Sequence, residues 1–382
     1  MSGMNRGGVP LPGEHEVDLS LPDRALVDMM AAGVVTALGG PSELSDLQRV
    51  LVDALFRSMT GFDVDVETPA VDARGFAQAL ARRNEAFRVR VLQITVLCAL
   101  VVRPLSPATV ARLDEVAGQF SVGEGMLTVA RDFAEGSLGL AAVDFERNGY
   151  TSGWNAQQRT ELHTSTTLRE AWESATDDPD LAARWQALET LPDGTLGRRI
   201  TEFYRARGFE YPGRPGSAPP LLAQHDWVHV LADYGSRVES ELEVFAFIAR
   251  ANDDPRGFSL LAMVVSLFET GYLATGAGLF EAFPGQLAQA GVATRLADAM
   301  RRGALVAGSV DFMNLDWFTL ADVQVQELRA RFGIVPKSEE AVSAGSVGPW
   351  EPGGISPFQF AQGQEHAARS RVPYESFGAS VG

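Results

Sequence analysis

The sequence predicts an all-α protein: an N-terminal helical bundle, then a C-terminal all-α metal-binding domain, with flexible termini. Three observations lead there. Apolar residues recur at three-and-four spacing, as in Leu47, Val50, Leu51, Ala54 and Leu55, which is the stripe of an amphipathic helix. Strand-like alternation is absent throughout. At 382 residues, 46% of them hydrophobic and 21% charged, the chain is long enough for two cores.

Taken in order, 1–22 is polar, rich in Gly and Pro, and without the apolar segment of a signal peptide; it reads as a flexible leader. The stretch 25–38 is an apolar helix stopped by Gly39-Gly40-Pro41, and 42–59 is the striped helix. Helices over 76–83 and 85–102 follow. Ser106-Pro107 opens another, with proline in its first turn, running to Phe120. Ser121-Val122-Gly123-Glu124 has the form of a capping box opening a helix to about 135. Together these make a bundle over 23–148.

Composition shifts across 145–154, where Asn148-Gly149-Tyr150-Thr151-Ser152-Gly153 marks the boundary of a second domain, 149–335. An acidic stretch at 174–180 begins it. Leu191-Pro192-Asp193-Gly194-Thr195-Leu196-Gly197 is a turn-rich entry to a helix, with Thr195 as N-cap and Ile200, Phe203 and Tyr204 on the apolar face. A proline-rich loop over 211–220 delivers the chain to the histidine pair discussed below. In the apolar run 258–280, Glu269 falls mid-run and Gly271, Gly276 and Gly278 interrupt it, so a buried hairpin is favoured over a membrane span. Helices over 286–304 and 319–332 close the domain. The Gly/Pro/Ser-rich tail, 336–382, reads as disordered or draped over the surface, with His366 solvated.

The formal charge is −17 and the pI about 4.8, which disfavours phosphate backbones and excludes nucleic acid as the expected partner. The single cysteine, Cys98, sits in the apolar run 89–102 and reads as a buried small hydrophobe; neither a disulfide framework nor a cysteine zinc site is possible.

Two of the five histidines stand four apart in Gln224-His225-Asp226-Trp227-Val228-His229. On a helix His225 and His229 share a face, and Asp226 can lean toward the same spot. Glu241, twelve residues past His229, would lie about 18 Å away on a straight helix. Tyr234-Gly235 offers a glycine stop, and Ser236-Arg237-Val238-Glu239 has the form of a capping box for a returning helix. An αα-hairpin then brings His225, Asp226, His229 and Glu241 together as a divalent metal site. The alternative is an amphipathic helix with two half-buried histidines that bind nothing.

Three ordered landmarks carry a resemblance: Leu191-Pro192-Asp193-Gly194-Thr195-Leu196-Gly197; His225-Asp226-x-x-His229 with eleven residues before Glu241; and Asn314-Leu315-Asp316-Trp317 leading to Glu327-Leu328-Arg329-Ala330-Arg331-Phe332-Gly333-Ile334. Over about 149–335 the chain resembles the ubiquinone (coenzyme Q) biosynthesis "Coq-four" family. The resemblance implies an all-α fold and a divalent metal on His225, Asp226, His229 and Glu241, with zinc first and iron, manganese or cobalt as alternatives. It further implies work on a prenyl lipid or quinone precursor, by oxidative decarboxylation of a prenylated ring or as a lipid-binding scaffold organising other biosynthetic enzymes around a structural metal. Homo-oligomerisation and a cytoplasmic location, peripheral to the inner membrane, go with that reading. An apolar helix, the Pro104-Leu105-Ser106-Pro107 break, a Leu-Val-Ala helix and a short link at Gly118–Ser121 carry a second resemblance: the bundle over about 23–145, chiefly 85–136, resembles a TerB-like helical domain. Val101-Val102-Arg103-Pro104 replaces that family's acidic loop, so no metal is carried onto it.

Read from the residues, a His/His/carboxylate set activates water on zinc, or dioxygen on Fe(II) if positions stay open; four ligands closing the shell make it structural. A zinc-peptidase reading lacks the general-base Glu, since Asp226 stands in its place. A phosphohydrolase reading needs further ligands, and His163 is better placed as an exposed helix residue. The apolar side chains of 258–280 line a groove for a prenyl tail or pack as core, with Glu269 at the groove head or facing solvent.

Overall fold

The computed structural model describes residues 20–122, 177–252 and 285–382, apart from positions 68, 103, 216, 219, 221 and 222, together with 127, 128, 130, 258, 261, 262, 264 and 265. Among the described residues it is all helical, and the extended contacts are two isolated bridges, Thr195–Gln324 and Pro352–Ser380. The chain divides into two compact units, Met1–Asn148 with Asp253–Ser266, and Gly149–Asn252 with Leu267–Gly382.

In the first unit polar caps set the helix starts. Asp23 accepts from Leu26 N at 2.9 Å and opens α1 (Arg24–Leu38). A 3-10 turn at Pro41–Glu43 precedes α2 (Asp46–Thr60), so the helix starts at the Ser45/Gln48 capping box and not at 42. Next come α3 (Ala73–Ala79), α4 (Glu85–Leu100) and α5 (Pro107–Phe120), the last capped by Ser106 with Pro107 in its first turn. Every residue of α4 from Val91 to Leu100 is buried, which makes it the central helix. Gln48 Nε2 donates to Cys98 O at 3.0 Å and ties α2 to it. Cys98 is fully buried, and burial pushes its thiol pKa up, as expected of an inert core residue. Ser121 ends α5 in the left-handed region (φ 54°); of the helix expected after it, Leu127, Thr128 and Ala130 are described and are helical, and the rest lies outside the described residues.

The second unit holds α6 (Pro179–Ala187), α7 (Leu196–Arg207), α8 (Gln224–Ala232), α9 (Val238–Ala251), α10 (Val292–Ala304), α11 (Val325–Phe332), α12 (Glu339–Ser343) and α13 (Pro357–Arg369). Thr195 caps α7 as the sequence predicts, accepting from Arg198 N, and Ile200, Phe203 and Tyr204 are buried. Nearly all of α9 is buried; it is the core helix of this unit. It packs most closely on α10, where Gly303 is needed for contact: a Cβ there would lie 2.2 Å from Phe247 O.

Further expectations are corrected. The helix expected over 286–304 begins at Val292, because Gly291 (φ 83°) breaks the chain after a 3-10 turn at Gln286–Ala288. The helix expected over 319–332 begins at Val325, behind a 3-10 turn at Trp317–Thr319. The tail expected to be disordered or draped is folded: Ser338 caps α12, a Ser356/Gln359 capping box starts α13, and Ile355, Gln359 and Ala379 are buried. Its apolar residues are spaced too irregularly to show a periodic face, yet Trp350, Phe360 and Phe377 pack on a core of Ala206, Ile355 and Ala379. Nor is His366 simply solvated: its Nδ1 lies 3.3 Å from Glu210 Oε1.

No helix among the described residues is long and apolar enough to cross a membrane. Of the run 258–280, Phe258, Leu261, Ala262, Val264 and Val265 are buried. Glu269 and the glycines at 271, 276 and 278 lie outside the described residues, as do His163 and the stretch 145–154.

Candidate metal centre

The histidines sit on α8, a nine-residue helix, and Glu241 on the first turns of α9, which folds back against it. The reversal is made differently from the sequence expectation. Asp233, not a glycine, ends α8 in the left-handed region (φ 67°), a conformation that Asp tolerates, and its N–H bonds to His229 O. Gly235 is required for another reason: a Cβ there would meet Gly354 Cα at 2.9 Å and Gly354 O at 3.0 Å. Ser236 does not form a capping box; the N-cap of α9 is Arg237, with no side-chain cap bond. The Ser236 hydroxyl accepts from Arg207 Nε at 2.5 Å and donates to Gln359 Oε1 at 2.7 Å.

The hairpin brings His225, His229 and Glu241 together, each offering a ligand atom within 4.8 Å of the others. Glu241 Oε2 is 3.3 Å from His225 Nε2, and Glu241 Oε1 is 3.2 Å from His229 Nε2. Asp226 stands at the edge of this group. Neighbouring residues on a helix diverge by about 100°, so its carboxylate lies beside the histidines: Oδ1 is 3.4 Å from His225 Nε2, while Oδ2 accepts from Tyr204 OH at 2.5 Å. All four side chains are buried. Phe203 stacks on His229 at 5.3 Å and Phe245 on His225 at 5.0 Å, fixing both imidazole planes from opposite helices.

The tautomer of His229 follows from its neighbour. Its Nδ1 lies 2.6 Å from Gly235 O, and a carbonyl oxygen only accepts, so Nδ1 carries the proton. In the neutral ring Nε2 then presents a lone pair. That atom is buried, with no hydrogen-bond partner among the described residues, and it faces a carboxylate oxygen. Two acceptors held face to face repel unless a positive charge lies between them. The spacing suits a cation: bonds of about 2.0–2.1 Å to nitrogen and about 2.0–2.2 Å to oxygen put neighbouring ligand atoms of a tetrahedral ion about 3.3–3.5 Å apart. The donor set suits a divalent ion; each imidazole Nε2 stands at that spacing from a different Glu241 oxygen, and with one ligand atom per residue the three lie within 4.8 Å of one another.

Electrostatics grade the carboxylates differently. Burial alone would raise the pKa of Glu241, but positive charge at its His229 and His225 neighbours holds it well below the usual carboxylate range. Burial raises Asp226, against the opposing pull of His225, His229 and the Tyr204 hydroxyl. Tyr204 is itself pushed well above its ordinary value, first by burial and then by Asp226. The fully buried Arg207 lies under the site: burial draws it down to about 9, against the upward pull of Tyr374, Asp226 and Glu241, so it stays cationic at neutral pH.

Tyr204, Arg207, Gly235 and Gln359 were not legible in the sequence as site residues. Tyr204 and Arg207 lie on a helix whose apolar stripe gives no sign of a polar duty, and Gln359 sits over a hundred residues away. The three sequence landmarks do meet in space. Leu196 N and Gly197 N donate to Val323 O and Ala321 O at 2.9 and 2.8 Å, and Val325 N donates to Gly194 O at 3.1 Å. Arg329 Nε reaches Leu231 O at 2.8 Å, at the end of the histidine helix.

No family model matches the chain, and no curated protein matches it. Among solved structures, it is similar to a protein of Nostoc punctiforme PCC 73102 provisionally ascribed to ubiquinone biosynthesis, at 22% identity, covering 52% of this chain and 97% of that one with a TM-score of 0.29. At that score the superposition carries no inference about this chain.

Proposed function

We propose that this chain is a divalent-metal protein of quinone or prenyl-lipid metabolism, its ion held by His225, His229 and Glu241 with Asp226 beside them. The observation that carries the metal is His229 Nε2, a buried lone pair aimed at Glu241 Oε1 across 3.2 Å. The substrate class rests on the three landmarks that resemble the quinone-biosynthesis family. When bound, a zinc-type ion supplies a Lewis acid at this point. The chain's own residues position it: Gly235 O and Phe203 orient His229, Phe245 orients His225, and Tyr204 holds one oxygen of Asp226. A second reading, a lipid-binding scaffold with a structural metal, is favoured by the burial of all four side chains.

The test is elemental analysis of the purified full chain, with mass spectrometry of co-purified lipid and assay of prenylated aromatic acids. One zinc, iron, manganese or cobalt ion per chain is expected, absent from His229→Ala and Glu241→Ala. Turnover lost in those variants, with helical circular dichroism retained, separates enzyme from scaffold. A chain without stoichiometric metal overturns the reading.

A further inference from the structure

The turn joining α8 to α9 is fastened from outside its own hairpin. Gly235 N donates to Val347 O at 2.9 Å, and Ser236 N to Gly354 O at 3.1 Å. Gln359, fully buried, donates Nε2 to Ser236 O at 2.9 Å and accepts from the Ser236 hydroxyl at 2.7 Å. Arg207 closes the arrangement from α7: besides Ser236 Oγ, it donates Nη2 to Pro349 O at 3.1 Å and to Gly354 O at 2.7 Å. The guanidinium also lies 3.8 Å above the Phe203 ring, the ring that stacks on His229.

These bonds surround one peptide unit. The amide between Gly235 and Ser236 supplies the carbonyl that takes the His229 Nδ1 proton, while the N–H of the same amide is held by Gly354 O. Fixing that N–H fixes the direction of the carbonyl, because a peptide is planar. The hydrogen bond at one imidazole nitrogen decides which tautomer the ring adopts, and hence what its other nitrogen offers a metal.

We propose that segment 347–359 is the support that sets the metal-binding tautomer of His229. Through Gly354, Gln359 and Ser236 it holds the Gly235 carbonyl against Nδ1, so that Nε2 turns its lone pair to Glu241. Gln359, Ser236 and Arg207 are positioning residues. This rests on the metal reading above.

The experiment compares the full chain with Gln359→Ala, Ser236→Ala and Ser338→Ala. The last removes the N-cap of α12, away from the turn, and serves as a control for general destabilisation. Each protein is titrated with Co(II) and its visible absorption recorded. The full chain is expected to take up one Co(II). Gln359→Ala and Ser236→Ala should bind it roughly 10–100-fold more weakly, with shifted absorption bands, and Ser338→Ala should match the full chain. Should Gln359→Ala fail to fold, Ser236→Ala, which removes only a hydroxyl, carries the same comparison. Unchanged affinity and bands in the turn variants overturn the support and leave the metal standing; an equal loss in Ser338→Ala also overturns it. If the full chain takes up no cobalt, the metal reading falls. The support is then decided by 15N spectra of the histidines in metal-free protein: His229 protonated on Nδ1 in the full chain and tautomerically mixed in Ser236→Ala upholds it, and one tautomer in both overturns it.

Discussion

Trp227 and Trp317 lie with ring centroids 5.8 Å apart and planes 1° from parallel, joining the helix that carries the histidines to the turn before α11. Both are buried, and Phe312 also stacks on Trp317 at 5.9 Å. Trp317→Ala removes a large side chain from a packed aromatic column. A loss of about 3–5 kcal/mol is expected, read from the denaturant midpoint, while Trp317→Phe keeps part of the stack and costs less.

Tyr204→Phe leaves the ring of α7 in place and takes away the proton that Asp226 Oδ2 accepts. A buried carboxylate oxygen loses its donor, which costs about 1–3 kcal/mol. Chemical denaturation checks the direction. A variant as stable as the parent would show that the 2.5 Å contact contributes nothing.

Gly303→Ala forces a methyl group against the Phe247 carbonyl, 2.2 Å from where the Cβ would stand. Backbone must move, since the neighbour is not a flexible side chain. The expected cost is about 1–3 kcal/mol, seen as a lower thermal midpoint. The same change at Gly118, where nothing lies within 4 Å, should be tolerated and tends to favour the helix.

Glu210 and His366 give the chain a small acid-sensitive contact. The hydrogen bond from His366 is the main reason the Glu210 pKa falls below its ordinary value, against an opposing burial effect. A depressed carboxylate contributes stability that is present above its unfolded pKa and lost as pH falls through the folded value. His366→Gln should therefore lower stability at pH 6 by less than about 1 kcal/mol, the pair being partly exposed, with the deficit disappearing once the pH has fallen through the lowered Glu210 pKa. A deficit that persists in acid would assign the effect to packing.

Helix content and the hairpin itself could be read from residue order, because both depend on short-range signals. Apolar spacing gives α1, α4, α5 and α7, and the histidine pair with Glu241 needs only a reversal between them. What decided the reversal was less local. Asp233 took the left-handed position that Gly235 was expected to fill, and Ser236 was drawn off to Arg207 and Gln359, leaving no cap bond for α9. Spacing placed Asp226 within reach of the histidines but could not say that one oxygen would turn to Tyr204. The tail was misread because its order comes from contacts across more than a hundred positions, and periodicity carries no trace of them.

The bond from Ser236 to Gln359 spans 123 residues. During synthesis the histidine hairpin leaves the ribosome well before its fastening exists. Sequence-distant contacts of this kind form late and fold slowly, so the nascent hairpin passes through a stage in which its turn is held only by neighbours.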